Sequence, residues 1–180
     1  NCAVQVDHKL ALGQWEALRS ILESLGVTIE LVDPVPGLPD LVFTANAALV
    51  YRKRAVLSRF RHEQRQGEES HFSDHLTQLG FSVETLHDDL FFEGAGDALF
   101  CGDTLFSGYR IRSTALALQF VAEQIGEQVI PLELIDSRFY HLDTCFCPLA
   151  AGRAIWFPGR SEGHTAELQS QASPVCRRPL

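Results

Sequence analysis

Residues 140–149 read Tyr-His-Leu-Asp-Thr-Cys-Phe-Cys-Pro-Leu, and the interpretation of the whole chain starts from this stretch. Apolar and β-branched residues dominate it and turn-forming residues flank it, which predicts a β-strand. Because side chains alternate between the faces of a strand, His141 and Asp143 are expected on one face, together with Cys145 and Cys147. An imidazole beside a carboxylate on a rigid strand is suited to proton transfer.

The complete sequence has 180 residues, 46% of them hydrophobic, and a formal net charge of −8. This is the size and composition of one globular domain. No basic tract is present, so nucleic acid and anionic membrane are not expected as partners, and a small cation is the more compatible ligand. No apolar run is long enough to span a bilayer. Five cysteines, in no metal-binding spacing, favour a reducing, cytoplasmic setting over a disulfide framework.

A repeated unit organises the chain. Three predicted helices each end at a glycine, and these glycines, Gly26, Gly80 and Gly126, are 54 and 46 residues apart. The helices cover residues 7–25, 70–79 and 113–125. The short strands that follow them cover residues 27–32, 81–86 and 128–132, and the predicted hairpins cover 41–50 with 55–58, 91–100 with 104–107, and 141–149 with 154–157. Three copies in the same order indicate an α-β-β-β repeat, and radial repetition around a central channel would cover its sheet edges.

The strand that opens each hairpin carries polar groups, which strands of this apolarity rarely contain without a reason. These groups are Asp40 and Asn46 in the first copy, Glu93 and Asp97 in the second, and His141 and Asp143 in the third. Equivalent strands around one channel would bring the groups together. Several carboxylates with one histidine would then form a pocket that binds a cation and transfers protons.

These residues resemble the guanidine-modifying, or pentein, superfamily of amidinotransferases, dimethylarginine dimethylaminohydrolases and arginine deiminases. The matching motifs are Leu-Pro-Asp-Leu-Val-Phe-Thr-Ala-Asn at residues 38–46, Phe-Glu-Gly-Ala-Gly-Asp-Ala-Leu at 92–99 and His-Leu-Asp-Thr at 141–144. The resemblance covers residues 1–167 and implies an α/β propeller of five ββαβ modules, three to four of them present here. One partial propeller domain is therefore expected over residues 1–172, with an atypical tail over residues 173–180.

The resemblance also implies a guanidino-group hydrolase or amidinotransferase that acts on arginine-like compounds without a metal or an organic cofactor. A cysteine thiolate would attack the guanidinium carbon, and water or an acceptor amine would resolve the covalent intermediate. His141 would be the general acid and base, and Glu93 the carboxylate that supports proton transfer. The substrate-binding residues would be Asp40, Asn46, Asp97, Arg112 and Asp143.

The sequence departs from the family pattern at three places. Asn46 stands where many relatives have an acid, and Glu93 lies four residues before Asp97 where several relatives have three. Cys176 does not lie in a setting like that of the family's nucleophilic cysteine, so we expect that nucleophile to be missing from this chain. The alternative is an inactive, truncated member that acts as an oligomeric binding module, because unpaired sheet edges would favour self-association.

Other readings of the same residues are less compatible with their spacing. His141, Asp143, Cys145 and Cys147 would spread over roughly 20 Å of a strand, too far for ligands of one metal ion. The two cysteines are expected to be small core residues. Residues 59–65, rich in arginine, histidine and glutamate, are expected to form a solvated loop or a flap over the channel. The glycines at positions 94 and 96 are not followed by the lysine of a phosphate-binding loop.

Overall fold

The computed structural model describes residues 7–87 and 89–157. The described residues form two compact units, which are divided between Asp33 and Pro34. In the described part, no helix is both long and apolar enough to cross a bilayer.

The described part of the first unit contains one helix, α1 (His8–Ser24). Its N-cap is Asp7, whose carboxylate accepts the Leu10 N–H at 3.0 Å and so satisfies a backbone donor that the helix leaves unpaired. The chain leaves the helix at Gly26, where φ is +82° and a side chain would be strained. The helix predicted over residues 7–25 is thus confirmed, whereas the strand predicted over residues 27–32 is wrong.

The second unit begins with a mixed three-stranded sheet. Strands β1 (Ala48–Tyr51) and β2 (Arg54–Leu57) form an antiparallel hairpin. Two helices follow, α2 (Glu63–Gln66) and α3 (Glu68–Gln78), and they lead to β3 (Ser82–Glu84), which pairs parallel to β2.

A second sheet repeats this connection order. Strands β4 (Ala98–Cys101) and β5 (Thr104–Tyr109) form the hairpin, and α5 (Ala115–Ile125) leads to β6 (Val129–Glu133), parallel to β5. In both sheets the connecting helix therefore belongs with the hairpin that precedes it. The repeat begins at the hairpin, as ββαβ, and not at the helix as the sequence pattern suggested.

A third hairpin joins β7 (Phe146–Ala150) to β8 (Arg153–Trp156). A short helical turn lies just before the first strand of each sheet: η2 (Thr44–Asn46), α4 (Gly94–Asp97) and η3 (Leu142–Thr144). A further turn, η1 (Pro39–Val42), comes before η2. The central turn, α4, contacts both η2 and η3.

These turns correct the strands predicted over residues 41–50, 91–100 and 141–149, which are wrong over residues 41–47, 91–97 and 141–145. The predicted alternation around His141 is wrong for the same reason. His141 and Leu142 are both buried, although they are adjacent, and Asp143 and Cys147 are exposed. A turn of three or four residues is too short to produce a periodic hydrophobic pattern, so the sequence does not distinguish it from the neighbouring strand.

Two apolar clusters hold the turns in place. One contains residues of the first two sheets and α5, and the other contains residues of the second and third sheets. Phe92, with no exposed surface, belongs to the first cluster, and Leu142, 1% exposed, belongs to the second. Phe92 directly precedes Glu93 and Leu142 directly follows His141. The cores therefore anchor the backbone at the two residues expected to transfer protons.

Candidate active site

His141 lies among groups from all three turns. Its Nδ1 is 3.1 Å from Asp97 Oδ1. Its Nε2 is 3.4 Å from Glu93 Oε2 and 3.4 Å from Asn46 Nδ2. All four side chains are buried. The fold thus brings together four of the residues that the sequence predicted as site residues.

The Asp97 carboxylate has several protein donors. Oδ2 accepts the Ser113 hydroxyl at 2.6 Å, and Oδ1 accepts the Leu142 backbone N–H at 3.2 Å as well as the His141 ring. A carboxylate can only accept, so it holds the proton of His141 on Nδ1. The Nε2 atom of His141 is then the one that faces Glu93 and Asn46. Ser113 was not expected from the sequence.

Glu93 is a fully buried carboxylate paired with a cation. Its Oε2 accepts Arg112 Nη1 at 3.1 Å, and its Oε1 lies 3.4 Å from the Arg61 backbone N–H. The Arg112 guanidinium packs over the Tyr140 ring at 5.1 Å and keeps one fifth of its side chain exposed. Arg112 is therefore the predicted site residue that pairs with a buried carboxylate while part of its own side chain remains accessible to solvent.

Arg65 also belongs to the site, and sequence reasoning missed it. The solvated loop predicted over residues 59–65 is wrong at Arg65 and Phe60, which are both buried. Arg65 pairs with Glu68 at 2.7 Å and donates from Nη1 to Asn46 Oδ1 at 3.4 Å. An arginine three residues before a glutamate at the start of a helical segment is a spacing that could have indicated the pair.

Two predicted site residues, Asp40 and Asp143, lie near these groups, but their carboxylates form no hydrogen bonds with them. Neither carboxylate makes a hydrogen bond or ion pair with any residue that the structure describes, although the backbone oxygen of Asp40 accepts Arg65 Nη2 at 3.3 Å. Protein packing around the Asp143 carboxyl raises its pKa, an effect that the charge of His141 opposes. Within residues 7–87 and 89–157, no three acid, histidine or cysteine side chains are grouped as metal ligands.

Two glycines allow α4 to approach η2. A Cβ at Gly96 would lie 2.2 Å from Asn46 Nδ2 and 3.3 Å from His141 Nδ1. Gly94 has a φ of +58°, and a Cβ there would lie 2.9 Å from the Asn46 backbone oxygen. A larger residue would meet the η2 backbone at position 94 and the Asn46 side chain at position 96, so the Gly-Ala-Gly sequence reflects close packing at both glycines.

The sequence profile of the family described as N,N-dimethylarginine dimethylhydrolase, eukaryotic, matches residues 2–159. The chain belongs to this family. Its relatives include the bifunctional arginine dihydrolase/ornithine cyclodeaminase ArgZ of a Synechocystis species, 43% identical over 170 residues, which are 93% of this chain and 24% of that protein. They also include the dimethylarginine dimethylaminohydrolase of Mycobacterium tuberculosis, 37% identical over 154 residues, which are 85% of this chain and 50% of that protein.

Solved structures of the family have the same fold, the pentein α/β fold with mixed sheets. The N-terminal domain of ArgZ, a cysteine-to-serine variant bound to substrate, superposes with a TM-score of 0.85 at 43% identity and covers 92% of this chain and 62% of that chain. A dimethylarginine dimethylaminohydrolase adduct with a chloropyridine superposes with a TM-score of 0.77 at 26% identity, over 92% and 66%. The chain spans about a quarter to a half of the curated relatives above.

Two of the three described cysteines of this family member, Cys101 and Cys145, are poorly suited to act as thiolates. Cys101 is buried in the second core, where its Sγ lies 3.3 Å from the Ala150 oxygen. Burial raises the pKa of the half-buried Cys145 thiol, and the charges of Asp143 and Asp97 raise it further. Cys147 is exposed, so the expectation that it is a small core residue is wrong. Cys2 and Cys176 lie outside the described residues.

Proposed function

We propose that this chain supplies the histidine and carboxylate groups of a site that hydrolyses the guanidino group of an arginine-like compound. The observation that carries the proposal is His141, held by Asp97 on one side and facing Glu93 on the other. The names of the relatives support hydrolysis over amidino transfer, since ArgZ is named an arginine dihydrolase and another relative a dimethylarginine dimethylaminohydrolase.

In the proposed reaction, a cysteine thiolate attacks the guanidinium carbon and forms a carbon–sulfur bond. The carbon–nitrogen bond to the departing amine then breaks, and His141, acting as an imidazolium with a second proton on Nε2, gives that second proton to the amine. His141 next takes a proton from water, the resulting hydroxide adds to the carbon, and the thiolate leaves. The raised pKa of Cys145 and the core position of Cys101 argue against either of these thiols as the nucleophile.

The substrate would be recognised mainly by carboxylates. A planar guanidinium offers paired N–H donors, which match carboxylate oxygens in charge-assisted hydrogen bonds. Glu93, Asp40 and Asp143 are the proposed acceptors, and Asn46 adds an amide contact. Asp97 has three protein donors already, so we assign it to orienting His141. Arg112, partly exposed beside Glu93, would receive the carboxylate of an amino-acid substrate.

We also propose how the sheets of this chain are arranged within one domain. Three sheets, whose leading turns meet at α4, support an arrangement of ββαβ modules around a channel, as in a propeller. We propose one such domain over residues 1–172, in a cytoplasmic protein, with the site in the channel. The tail proposed for residues 173–180 lies outside the described residues.

The test is turnover by the full-length protein that contains this chain. Arginine and dimethylarginine should release ammonia or dimethylamine, and agmatine, which lacks the carboxylate, should be a poorer substrate. His141→Ala should lower kcat by about 10²–10⁴-fold, the usual contribution of a general acid or base. The matched control is His71→Ala, because His71 is exposed on α3 and should leave kcat unchanged. No turnover, or full turnover by His141→Ala, would remove the proposal.

A further inference from the structure

Ser113 is a buried serine that has no part in the proposed reaction. It has no exposed surface, and its Oγ lies 2.6 Å from Asp97 Oδ2 and 3.1 Å from the Glu93 backbone nitrogen. A backbone N–H can only donate, so the Ser113 oxygen accepts from Glu93. The hydroxyl proton is then left for Asp97, whose carboxylate accepts it. One hydroxyl therefore joins the backbone of Glu93 to the carboxylate that contacts His141.

The same hydroxyl decides how the Asp97 carboxylate is oriented. Oδ1 accepts the Leu142 N–H at 3.2 Å and faces His141 Nδ1 at 3.1 Å. Oδ2 has the Ser113 hydroxyl as its donor in the described part of the chain. A buried carboxylate oxygen without a donor is unfavourable, so without Ser113 the carboxylate would rotate to share the donors that remain. The contact of Oδ1 with His141 therefore depends on Ser113.

The backbone around Ser113 is held on both sides. The Ser113 oxygen accepts the Arg110 N–H at 2.9 Å, and the Thr114 N–H donates to the Phe91 oxygen at 2.9 Å. Arg110 has a φ of +97°, which residues other than glycine adopt only where the surrounding structure holds them. Its guanidinium pairs with Glu133 at 2.9 Å. These contacts keep the Ser113 hydroxyl at one place beside the site.

We infer that Ser113 is a positioning residue of this site: its hydroxyl holds the Asp97 carboxylate so that Oδ1 faces His141 Nδ1, and it ties that carboxylate to the backbone of Glu93. The carboxylates on the two sides of the imidazole are thereby linked through one side chain. Within the described residues, Ser113 forms no hydrogen bond with His141, so it acts through Asp97. The activity readout of this inference rests on the proposed function, but its structural readout does not.

The structural test needs no substrate and uses the full-length protein. NMR would follow the proton on His141 Nδ1. Ser113→Ala should shift this resonance and speed exchange of the proton with water, because the carboxylate that holds it becomes free to rotate. The matched control is Ser107→Ala: Ser107 is equally buried but donates to the backbone oxygen of Asp97, at 2.9 Å, so this change should leave the resonance in place. A folded Ser113→Ala protein that kept the wild-type resonance and exchange rate would overturn the inference.

A measurement on the wild type covers the case in which Ser113→Ala does not fold. The Ser113 hydroxyl proton, donated to a buried carboxylate, should exchange slowly enough to give its own resonance, with a nuclear Overhauser effect to the Glu93 amide proton. The hydroxyl of Ser20, which is exposed on α1, should exchange too fast to be observed. If the Ser113 proton exchanged as fast as that of Ser20, its hydroxyl would not hold Asp97, and the inference would be overturned.

The activity test is a double-mutant cycle. Ser113→Ala should lower kcat about tenfold with little change in KM, because Ser113 acts on Asp97 and not on the substrate. In an Asp97→Asn background the same change should lower kcat less than about twofold, since the carboxylate that Ser113 holds is gone. Equal losses in the two backgrounds would show that Ser113 acts independently of Asp97 and would overturn the inference. Absence of turnover in every form would remove the proposed function, whereas the proton on His141 Nδ1 would still decide the role of Ser113.

Discussion

At the level of single residues, the surroundings of two aspartates shift the pKa of their carboxyl groups in opposite directions. Packing around Asp143 raises the pKa of its carboxyl, and the charge of Asp97 adds to the effect. By contrast, hydrogen bonds from Arg138 lower the pKa of Asp136, on a surface loop. A carboxylate in an environment that disfavours its ionised form reduces the stability of the fold. Such carboxylates are typical of functional sites. Asp143 is thus a candidate ligand for a cation.

The two aspartates predict opposite effects of pH. A carboxyl whose pKa rises on folding binds its proton more tightly in the folded state, so stability falls as the pH rises above the ordinary value of 3.8. Asp143→Asn should therefore raise Tm at neutral pH, and the gain should vanish well below pH 3.8. The Asp136 carboxyl has a lowered pKa and stabilises above 3.8, so Asp136→Asn should lower Tm at neutral pH. Calorimetry across this range would measure both, and a pH-independent gain for Asp143→Asn would contradict the argument.

The contact between Asp97 and His141 predicts a change in turnover. An asparagine at position 97 would keep the shape of the side chain but could not stabilise a protonated imidazole as a carboxylate does. Asp97→Asn should lower kcat by about 10²–10⁴-fold and leave KM nearly unchanged, because Asp97 is assigned to His141 and not to the substrate. The control is Asp103→Asn, in the exposed turn between β4 and β5. Steady-state kinetics that gave a large rise in KM would instead identify Asp97 as a substrate ligand.

At the scale of elements, the sequence predicts helices well and the site turns poorly. Helices α1 and α5 are long enough to show a helical period and end at glycines with positive φ, Gly26 and Gly126. The turn at Gly94–Asp97 has four residues and no period of its own. The polar residues that were predicted on strands therefore lie in or beside the short turns that precede those strands. Their identity could be predicted from the motifs, but their backbone conformation could not.

The packing of α4 on η2 predicts the effect of a single methyl group. Gly96→Ala would place a Cβ 2.2 Å from Asn46 Nδ2, so the buried Asn46 side chain must move from its place beside His141. We expect a loss of about 1–3 kcal/mol of unfolding free energy, as for other overpacked sites. Gly13→Ala is the control, since that Cβ meets nothing within 4 Å in the middle of α1 and should stabilise the helix by about 0.5–1 kcal/mol. Urea denaturation would compare them, and equal stabilities for Gly96→Ala and the wild type would refute the close-packing argument.

Across the whole molecule, the site is assembled by contacts that no local pattern encodes. Asn46 and His141 are 95 residues apart and meet only because α4 packs on both of their turns. The repeat in the sequence predicts that equivalent elements should converge. It does not predict where each unit begins, nor that Arg65 is folded inward, because a buried arginine and a solvated one look alike in a polar segment.

The uneven size of the three sheets predicts self-association of the 180-residue chain. Among the described residues, the first two sheets each have a strand parallel to the second strand of the hairpin, whereas β8 has no such partner. A strand edge without a partner exposes backbone hydrogen-bonding groups. In and next to the β7–β8 hairpin, Leu149, Ile155 and Phe157 are also about half exposed. Light scattering should therefore give a mass above the 20.0 kDa of one chain. Ile155→Lys should lower that mass toward one chain, whereas Leu116→Lys, on the exposed side of α5, should not. A wild-type chain that stayed monomeric at high concentration would show that the β8 edge does not drive association.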